Sequence, residues 1–420
     1  MQVNTSTLRN GLKILTVERP ETETVSLGVW VNTGSAFETQ DINGISHFVE
    51  HMVFKGTKKR NSLQISEDIE NVGGQTNAYT SREFTVFYAK MLKNDIELAT
   101  DVLSDLVMAP TFDMTEMTKE KDVVIQEIKQ TYDDPSDIVF DYFQNTAFQN
   151  QPVGMSILGS EEKVRSFNDE SLRQYMHHNY AADNIIVAAV GHLNHEAFVK
   201  MVEERMADLQ PKSDFIRAKQ IYTGGNFVEN REIEQAHVLI GFPSVSYHSE
   251  QYYHASIMST ILGGSMSSRL FQEIREKRGL VYSVYSFSNA HLQSGLFGVY
   301  AGLNAEEIRQ YIPVVSDELK KICQDKVSDK ELNRVKVQLK ASILMALESS
   351  SSTAEVIARQ RLIHGRVIPT NEIVERIENV TKEDIRSIAQ QIFTQKPTYT
   401  LLGNLKEYPS YDELQKYLHI

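Results

Sequence analysis

The same order of strand-like and helix-like segments occurs twice along this chain, and this repetition constrains the fold more than any other sequence feature. In each half an alternating strand leads into a helix, a Gly-Gly pair follows at 73–74 or 263–264, and two further strands precede long helices. A stretch with Pro, Ser and Gly at 210–225 separates the halves and is typical of a linker. The pattern predicts an α+β fold of two similar domains, residues 1–212 and 213–420.

Hydrophobic periodicity predicts the individual elements. The predicted strands are 8–18 with a turn at Asn10-Gly11, 25–33, 76–80, 84–90, 185–190, 236–242, 280–288, 295–302 and 398–402. The predicted helices are one that is capped by Asp41 or Asn43 and ends near Phe54, and those at 63–72, 95–108, 115–130, 161–177, 196–209 and 251–262.

The composition is that of an ordinary globular chain. Its 420 residues exceed what one hydrophobic core usually serves, and its net charge of -13 disfavours nucleic acid as a partner. No run of about 18 apolar residues is present, and the N-terminus has no features of an export signal. We therefore expect a cytoplasmic protein without membrane or nucleic-acid partners. Cys323, the single cysteine, cannot form an intrachain disulfide and suits a buried position.

The segment His47-Phe48-Val49-Glu50-His51 places two imidazoles and a carboxylate on one predicted helix. The two histidines are four residues apart, so their side chains share a helix face and can chelate one metal ion. Glu50 borders the same face and can hold a water next to that ion. The order His-x-x-Glu-His is the zinc-protease helix signature in reverse, and it indicates a candidate catalytic zinc site.

A catalytic zinc site needs a third protein ligand, and a later predicted helix offers two carboxylates. Glu120 and Glu127 are seven residues apart, which is two turns along one helix face. With Val123, Val124 and Ile128 on the buried side, a carboxylate here points inward and needs a partner, which a metal ion can supply. A solvated helix edge is the alternative, and the residues alone leave both interpretations open.

Further motifs accompany these residues. They are Phe54-Lys55-Gly56-Thr57, Asn77-Ala78-Tyr79-Thr80-Ser81, Glu127 at the end of Glu-Lys-Asp-Val-Val-Ile-Gln-Glu, and Arg275 followed seven residues later by Tyr282. Together with the His-x-x-Glu-His segment, they closely resemble the pitrilysin-type inverzincin zinc metallopeptidases. Within that family the likeness is to the branch of the mitochondrial processing peptidase and its bacterial relatives, and it covers nearly the whole chain.

The resemblance implies a Zn²⁺ ion bound by His47, His51 and Glu127. Glu50 is then the general base, which takes a proton from the water that the ion activates. Glu120 is a neighbouring carboxylate that orients a ligand or water, with a plain surface position as the alternative. The implied activity is that of a zinc-dependent endopeptidase acting on peptides or unfolded segments.

Other matching residues concern the substrate. Asn77, Ala78 and Tyr79 match the family's edge strand, which binds peptide in extended form by β-augmentation. Phe54 matches an apolar pocket for the residue after the cleaved bond, although as a bare sequence feature core packing explains it better.

Two pairs of charged or polar residues complete the implied site. Asp137 and Asp141 lie in an acidic run, and in processing-type relatives acids at these positions contact a basic residue before the cleaved bond. A preference for Arg or Lys near the cleavage site follows, with a solvated acidic face as the alternative. Arg275 and Tyr282 match the family's pair that holds substrate carbonyls and stabilises the developing oxyanion.

Family members enclose substrate in a clamshell chamber made from two copies of a two-domain unit, each domain being a mostly antiparallel sheet with helices on one face. This chain contains one such unit, so we expect a homodimer in which the zinc site of one copy faces Arg275 and Tyr282 of the other. The alternatives are a non-catalytic, core-like assembly subunit and the catalytic subunit of a heterodimer. The retained zinc motif argues against the first, and the Arg-Tyr pair argues against the second.

Overall fold

The computed structural model describes residues 2–214 and 217–419, which form two compact units, each built around one sheet. Each unit gathers three segments of the chain. The first contains Met1–Lys129, Met155–Ala218 and Leu344–Thr370, and the second contains Gln130–Gly154, Lys219–Ile343 and Asn371–Ile420.

The elements follow the predicted alternation of strands and helices. The strands are β1 Asn4–Thr7, β2 Lys13–Glu18, β3 Thr24–Val31, β4 Gln75–Thr80, β5 Thr85–Leu92, β6 Ile185–Gly191, β7 Gly225–Asn230, β8 Ala236–Pro243, β9 Val281–Ala290, β10 Gly295–Leu303 and β11 Thr398–Gly403. The helices are α1 Ile45–Val53, α2 Ser62–Glu70, α3 Ile96–Met108, α4 Met114–Asp133, α5 Pro135–Ala147, α6 Glu161–Ser166, α7 Asp169–Asn179, α8 His195–Met206, α9 Tyr252–Gly263, α10 Ile308–Gln324, α11 Asp329–Ala346, α12 Ser350–His364, α13 Thr370–Glu378, α14 Lys382–Phe393 and α15 Tyr411–Leu418. A π-helical turn spans Phe271–Glu276. Across residues 2–214 and 217–419, no helix has the length together with the apolar character that a bilayer span requires.

The two sheets have the same strand order. In the first unit the order is β1-β2-β6-β3-β5-β4, with β2 and β6 parallel and the other pairs antiparallel. In the second unit the order is β7-β11-β8-β10-β9, with β7 and β11 parallel and the other pairs antiparallel. If β2 is matched with β7, each strand that follows β2 across the first sheet has a counterpart in the second sheet. Strands β4 and β9 then take the same edge position. The predicted repeat and the predicted α+β class with mostly antiparallel sheets are confirmed.

Most helices of the first unit pack on one face of its sheet. Val29 of β3 and Phe87 of β5 point to that face and share a buried cluster with Phe48 of α1. The neighbouring residues Trp30 and Val86 point the other way, because side chains alternate along a strand. They form a second, smaller cluster with Ala354, Ile357 and Ala358 of α12. Helices were predicted on one face of the sheet only, and α12 additionally covers the other face.

The second sheet is likewise covered on both faces. Gly241 and Phe242 are neighbours on β8, so they point to opposite faces. Phe242 packs against Phe393 of α14, with ring centroids 5.2 Å apart, whereas Gly241 lies under Phe143 of α5. A β-carbon at position 241 would come within 2.2 Å of the Phe143 ring, so glycine allows α5 to lie this close to the sheet.

The helix on the second face of each sheet comes from the other half of the sequence. Helix α5 belongs to the second unit and α12 to the first, so the units differ from the contiguous domains 1–212 and 213–420. The sequence pattern did not predict either helix individually, and hydrophobic periodicity carries no information about which sheet a helix covers. One of the places where the chain crosses from the first unit to the second, 218–219, lies within the predicted linker.

The N-terminus of α1 is capped by a residue that the sequence pattern did not identify. The predicted cap is Asp41 or Asn43, but the cap position is Gly44, with a φ of 95°. The Glu38 carboxylate accepts hydrogen bonds from the backbone N–H groups of Gly44 (2.7 Å) and Ser46 (2.8 Å). It also accepts the Ser46 hydroxyl at 2.6 Å and the Asn43 side chain at 3.0 Å. Because this carboxylate reaches the helix from outside the adjacent turn, local capping rules miss it.

Two other predicted elements are divided in the structure. The helix predicted at 161–177 is two helices, α6 and α7, because Asn168 forms a capping box that starts a new helix. The segment predicted as a strand at 8–18 is divided into a turn, in which Gly11 has a φ of 97°, and strand β2, which begins only at Lys13. Strand β1 lies before this segment and was not predicted.

We predict that Glu38→Ala destabilises the first unit by about 1–3 kcal/mol, the usual penalty for leaving buried donors without acceptors. Burial raises the pKa of Glu38 to about 7, and the hydrogen bonds from Ser46, Gly44 and Asn43 oppose that rise. The midpoint of thermal unfolding checks the prediction, with Asp41→Ala as the matched control because Asp41 is exposed. Equal midpoints for the two variants would contradict the capping role of Glu38.

Candidate metal centre

Helix α1 presents His47, Glu50 and His51 toward helix α4. Apolar residues of α1 such as Phe48 and Met52 are buried in the core of the first unit and hold the helix in place. His47 is buried, whereas Glu50 and His51 are half-buried. The imidazole rings of His47 and His51 have centroids 4.6 Å apart, in keeping with their spacing of one helical turn.

Helix α4 brings Glu120 and Glu127 to the same place. Val124 and Ile125 lie between them and are fully buried, which orients this side of the helix toward the core. Glu120 is 4% exposed, and Glu127 is half-buried. The assignment of Val123 to the buried side is wrong: it is 50% exposed, because the buried stripe of α4 runs through Val124 and Ile125 instead.

Three side chains converge on one point. Nε2 of His47 lies 3.6 Å and Nε2 of His51 lies 3.5 Å from Oε2 of Glu127, and one ligand atom of each residue lies within 4.8 Å of the others. These separations are long for hydrogen bonds. They suit atoms that share an ion, because tetrahedral ligands bonded to zinc lie roughly 3.4 Å apart. Within the described part of the chain, no other three His, Cys, Asp or Glu residues form such a group.

Glu120 supports His51 from the side opposite Glu127. Its Oε1 lies 2.8 Å from Nδ1 of His51, and its Oε2 lies 2.7 Å from Nζ of Lys55. This contact leaves Nε2 of His51 facing Glu127, in the carboxylate–histidine arrangement common around metal sites. Burial opposes the charge of both partners, but their hydrogen bond and the neighbouring charges outweigh it. The pKa of His51 is therefore raised and the pKa of Glu120 is lowered.

His47 has the opposite electrostatic environment. Burial, reinforced by the nearby His51, lowers the pKa of His47 to about 3. Its ring is therefore neutral near pH 7, which is the form that binds a metal. A donor set of two imidazole nitrogens and one carboxylate oxygen is one that catalytic zinc sites use, so the residues present fit this ion.

Glu50 lies beside the three candidate ligands without belonging to them. Its Oε2 accepts a hydrogen bond of 2.5 Å from the hydroxyl of Thr80 on β4. Burial raises the pKa of Glu50, and the Thr80 hydrogen bond and the charge of His51 oppose that rise. Sequence reasoning assigned no supporting role to Thr80 or Lys55, because these residues meet their partners only once the helices and the sheet have packed.

Strand β4 is the outer strand of the first sheet, next to β5. Its free edge offers backbone N–H and C=O groups to an extended peptide, as the prediction for Asn77, Ala78 and Tyr79 requires. Asn77 is exposed, and Ala78 packs against the core that includes α1. Tyr79 points to the opposite face, where its hydroxyl donates to Glu355 of α12 at 2.5 Å. The Ala78 N–H donates to the Asn77 side chain at 2.8 Å. The side chain of Tyr79 is engaged within the first unit.

Phe54 is the residue that follows α1, and it is half-buried. Its ring centroid lies 6.4 Å from that of Phe87, and the side chain packs against the core of the first unit. These contacts favour the core-packing alternative, and a substrate pocket at Phe54 stays a prediction.

Four further predicted residues lie in the second unit. Arg275, in the π-helical turn, has its guanidinium 5.8 Å from the ring centroid of Tyr282 on β9, which is 73% exposed. Asp137 is exposed and Asp141 is half-buried, one turn apart on α5. The structure brings the members of each pair together within this unit, and their roles toward substrate stay predictions.

The family is identified by comparison with known proteins. Residues 13–161 match the family described as Insulinase (Peptidase family M16), and residues 166–339 match the one described as Peptidase M16 inactive domain. The chain is 38% identical to the uncharacterized zinc protease YmxG of Bacillus subtilis, over 96% of this chain and 99% of the relative. It is 31% identical to the probable mitochondrial-processing peptidase subunit beta of Arabidopsis thaliana, over 99% of this chain and 81% of the relative.

A solved structure has the same fold. The crystal structure of a protease from Helicobacter pylori matches with a TM-score of 0.88, over 96% of this chain and 99% of that chain, at 21% identity. The likeness to the processing-peptidase branch that the motifs indicated is confirmed by the Bacillus and Arabidopsis relatives. With both family domains present and in order, this chain belongs to peptidase family M16.

Proposed function

We propose that this chain is a zinc-dependent endopeptidase. The observation that carries the proposal is the convergence of His47, His51 and Glu127, whose ligand atoms lie within 4.8 Å of one another beside the carboxylate of Glu50. Relatives named zinc proteases, one of them 38% identical over 96% of this chain, support the choice of metal and of reaction.

The first unit supplies the metal-binding side of the reaction. His47 and His51 would hold Zn²⁺ through Nε2, and Glu127 would hold it through a carboxylate oxygen. The ion, when bound, lowers the pKa of a water and polarises the carbonyl of the bond to be cleaved. Glu120 keeps the His51 ring oriented through its contact with Nδ1 at 2.8 Å, and Lys55 fixes the other Glu120 oxygen at 2.7 Å.

Glu50 acts as the general base. Its carboxylate takes a proton from the attacking water and then delivers that proton to the leaving amine. The Thr80 hydroxyl, 2.5 Å from Oε2, holds the Glu50 carboxylate in place.

The substrate is a peptide or an unfolded segment in extended form. Its backbone pairs with the free edge of β4 at residues 77–79. Arg275 and Tyr282 hold substrate carbonyls and stabilise negative charge that develops on the reacting carbonyl oxygen. The chain works as a homodimer that encloses the peptide in a chamber, with the metal site of one copy facing the Arg-Tyr pair of the other.

Glu50→Gln is expected to lower kcat by about 100- to 10,000-fold, because an amide cannot accept the proton of the attacking water. Zinc should remain at the wild-type stoichiometry, since no ligand is changed. Hydrolysis of fluorogenic peptides that contain Arg, together with the zinc content of the purified chain, provides the measurement.

Two histidine variants serve as controls for that experiment. His51→Ala removes a ligand and should lose both zinc and activity. His254→Ala changes a histidine on α9, the counterpart of α1 in the second unit, and should retain both. Wild-type hydrolysis by Glu50→Gln, or a full zinc complement in His51→Ala, would contradict the proposal.

A mixture of two inactive variants tests whether the active site is shared between copies. Glu50→Gln keeps Arg275 intact, and Arg275→Ala keeps Glu50 intact. If the pair acts across a two-fold dimer, each mixed dimer contains one complete site, and co-expression restores about a quarter of the wild-type activity. Activity no higher than the sum of the separate variants, or an active monomer in sedimentation, rules out the shared site.

The preference for basic substrates is tested on α5. Changing both Asp137 and Asp141 to Asn should raise KM for Arg-containing peptides roughly two- to fivefold, the range expected for loss of an exposed ion pair. Peptides with Gln in place of Arg should be unaffected. Asp133→Asn, which changes an exposed neighbour, is the matched control. Equal effects on the two peptides would show that these carboxylates do not select for charge.

A further inference from the structure

One carboxylate joins the edge strand β4 to the interior of the first sheet. Tyr79 on β4 pairs with Val86 on β5, and Val86 pairs with Trp30 on β3, so the three residues form one row across the sheet. Glu355 of α12 lies over this row. Its Oε1 accepts the Tyr79 hydroxyl at 2.5 Å, and its Oε2 accepts the Trp30 indole N–H at 2.7 Å. Glu355 therefore bridges β4 and β3 across the strand between them.

Helix α12 holds Glu355 in a fixed position. The helix buries apolar residues against the same face of the sheet that carries Trp30. Arg359, one turn along, lies 3.7 Å from the Glu355 carboxylate. At the start of the helix, the Arg19 guanidinium donates to the Leu347 carbonyl at 2.6 Å and to the Thr353 hydroxyl at 2.9 Å.

The same strand is held on its other face by the candidate catalytic base. Thr80 follows Tyr79 and points the opposite way, because side chains alternate along a strand. Its hydroxyl donates to Glu50, whereas the Tyr79 hydroxyl donates to Glu355. Two carboxylates, Glu50 and Glu355, therefore hold β4 from opposite faces of the sheet.

We propose that Glu355 is a positioning residue for substrate binding, which keeps the free edge of β4 ordered and extended by holding Tyr79 to Trp30. This inference rests on the proposed function, since it takes β4 as the peptide-binding strand. An edge strand is paired on one side only and opens more easily than an inner strand. When it is ordered beforehand, an incoming peptide does not have to order it on binding.

Two variants remove the bridge from opposite ends. Tyr79→Phe deletes one hydroxyl, and Glu355→Met replaces both acceptor oxygens with an apolar side chain of similar length. In each, we expect KM for an extended peptide to rise roughly 3- to 10-fold, with kcat within about twofold of wild type. On the Glu50→Gln background, where the peptide is not cleaved, its Kd should rise by a similar factor. Amide hydrogen exchange of residues 75–80 should become faster, and the double variant should be no worse than the more severe single variant.

Two further variants separate positioning from a general structural effect. Tyr88→Phe is the matched control, because Tyr88 lies on β5 with its ring centroid 6.5 Å from that of Tyr79 and takes no part in the bridge. It should leave KM, Kd and exchange unchanged. Glu355→Gln is the conservative rescue, since the amide can accept from Trp30 and donate to the Tyr79 hydroxyl oxygen. It should stay within about twofold of wild type.

The outcomes distinguish failure of the positioning role of Glu355 from failure of the proposed endopeptidase function. Unchanged KM, Kd and exchange in Tyr79→Phe overturn the positioning role while leaving the endopeptidase proposal intact, and this variant decides the matter even where Glu355→Met fails to fold. A reduced kcat with unchanged KM also overturns it. A wild-type chain that neither binds nor cleaves peptides overturns the proposed function, and the role of Glu355 with it.

Discussion

Three carboxylates and two imidazoles share a half-buried space in the first unit, and the surrounding structure provides a partner for each charge. Like charges this close repel one another, and burial destabilises each of them further unless it is paired. Glu120 lies between a lysine and His51, and Glu50 accepts the Thr80 hydroxyl. Glu127 faces two imidazole nitrogens at 3.5 and 3.6 Å, and a cation at that point would complete the charge balance.

The groups around that point are held by three different elements, each fixed by contacts outside the site. Helix α1 is held by its buried apolar face and by Glu38 at its N-terminus. Helix α4 is held by the buried stripe that contains Val124 and Ile125. Strand β4 is held by its pairing with β5 and by Glu355. Such support gives a site its geometry before any ligand arrives, which is the condition for efficient metal binding and catalysis.

Local features of the fold and site could be predicted from the sequence because they depend on short-range periodicity. The shared face of His47 and His51 follows from 3.6 residues per helical turn. The residues alone left Glu120 and Glu127 as candidates for the third ligand, and the resemblance to a family selected Glu127. The partners that support these residues could not be predicted. Glu38 and Glu355 act on groups that are distant along the chain or outside the local turn, and nothing in a short window reveals such contacts. Periodicity also left open which side of α4 is buried, and for this reason Val123 was wrongly assigned to the buried side.

Each sheet is covered on one face by a helix from the other half of the sequence, α12 on the first sheet and α5 on the second, and this has a consequence for biosynthesis. The ribosome releases the chain in order, so all the strands of the first sheet emerge well before Ser350, where α12 begins. Until then, the face that carries Trp30 and Val86 has no covering helix, and exposed apolar surface of this kind favours aggregation. The first sheet thus completes its packing only after most of the second sheet has been translated. Fission of the gene at the linker would leave each covering helix on the wrong fragment.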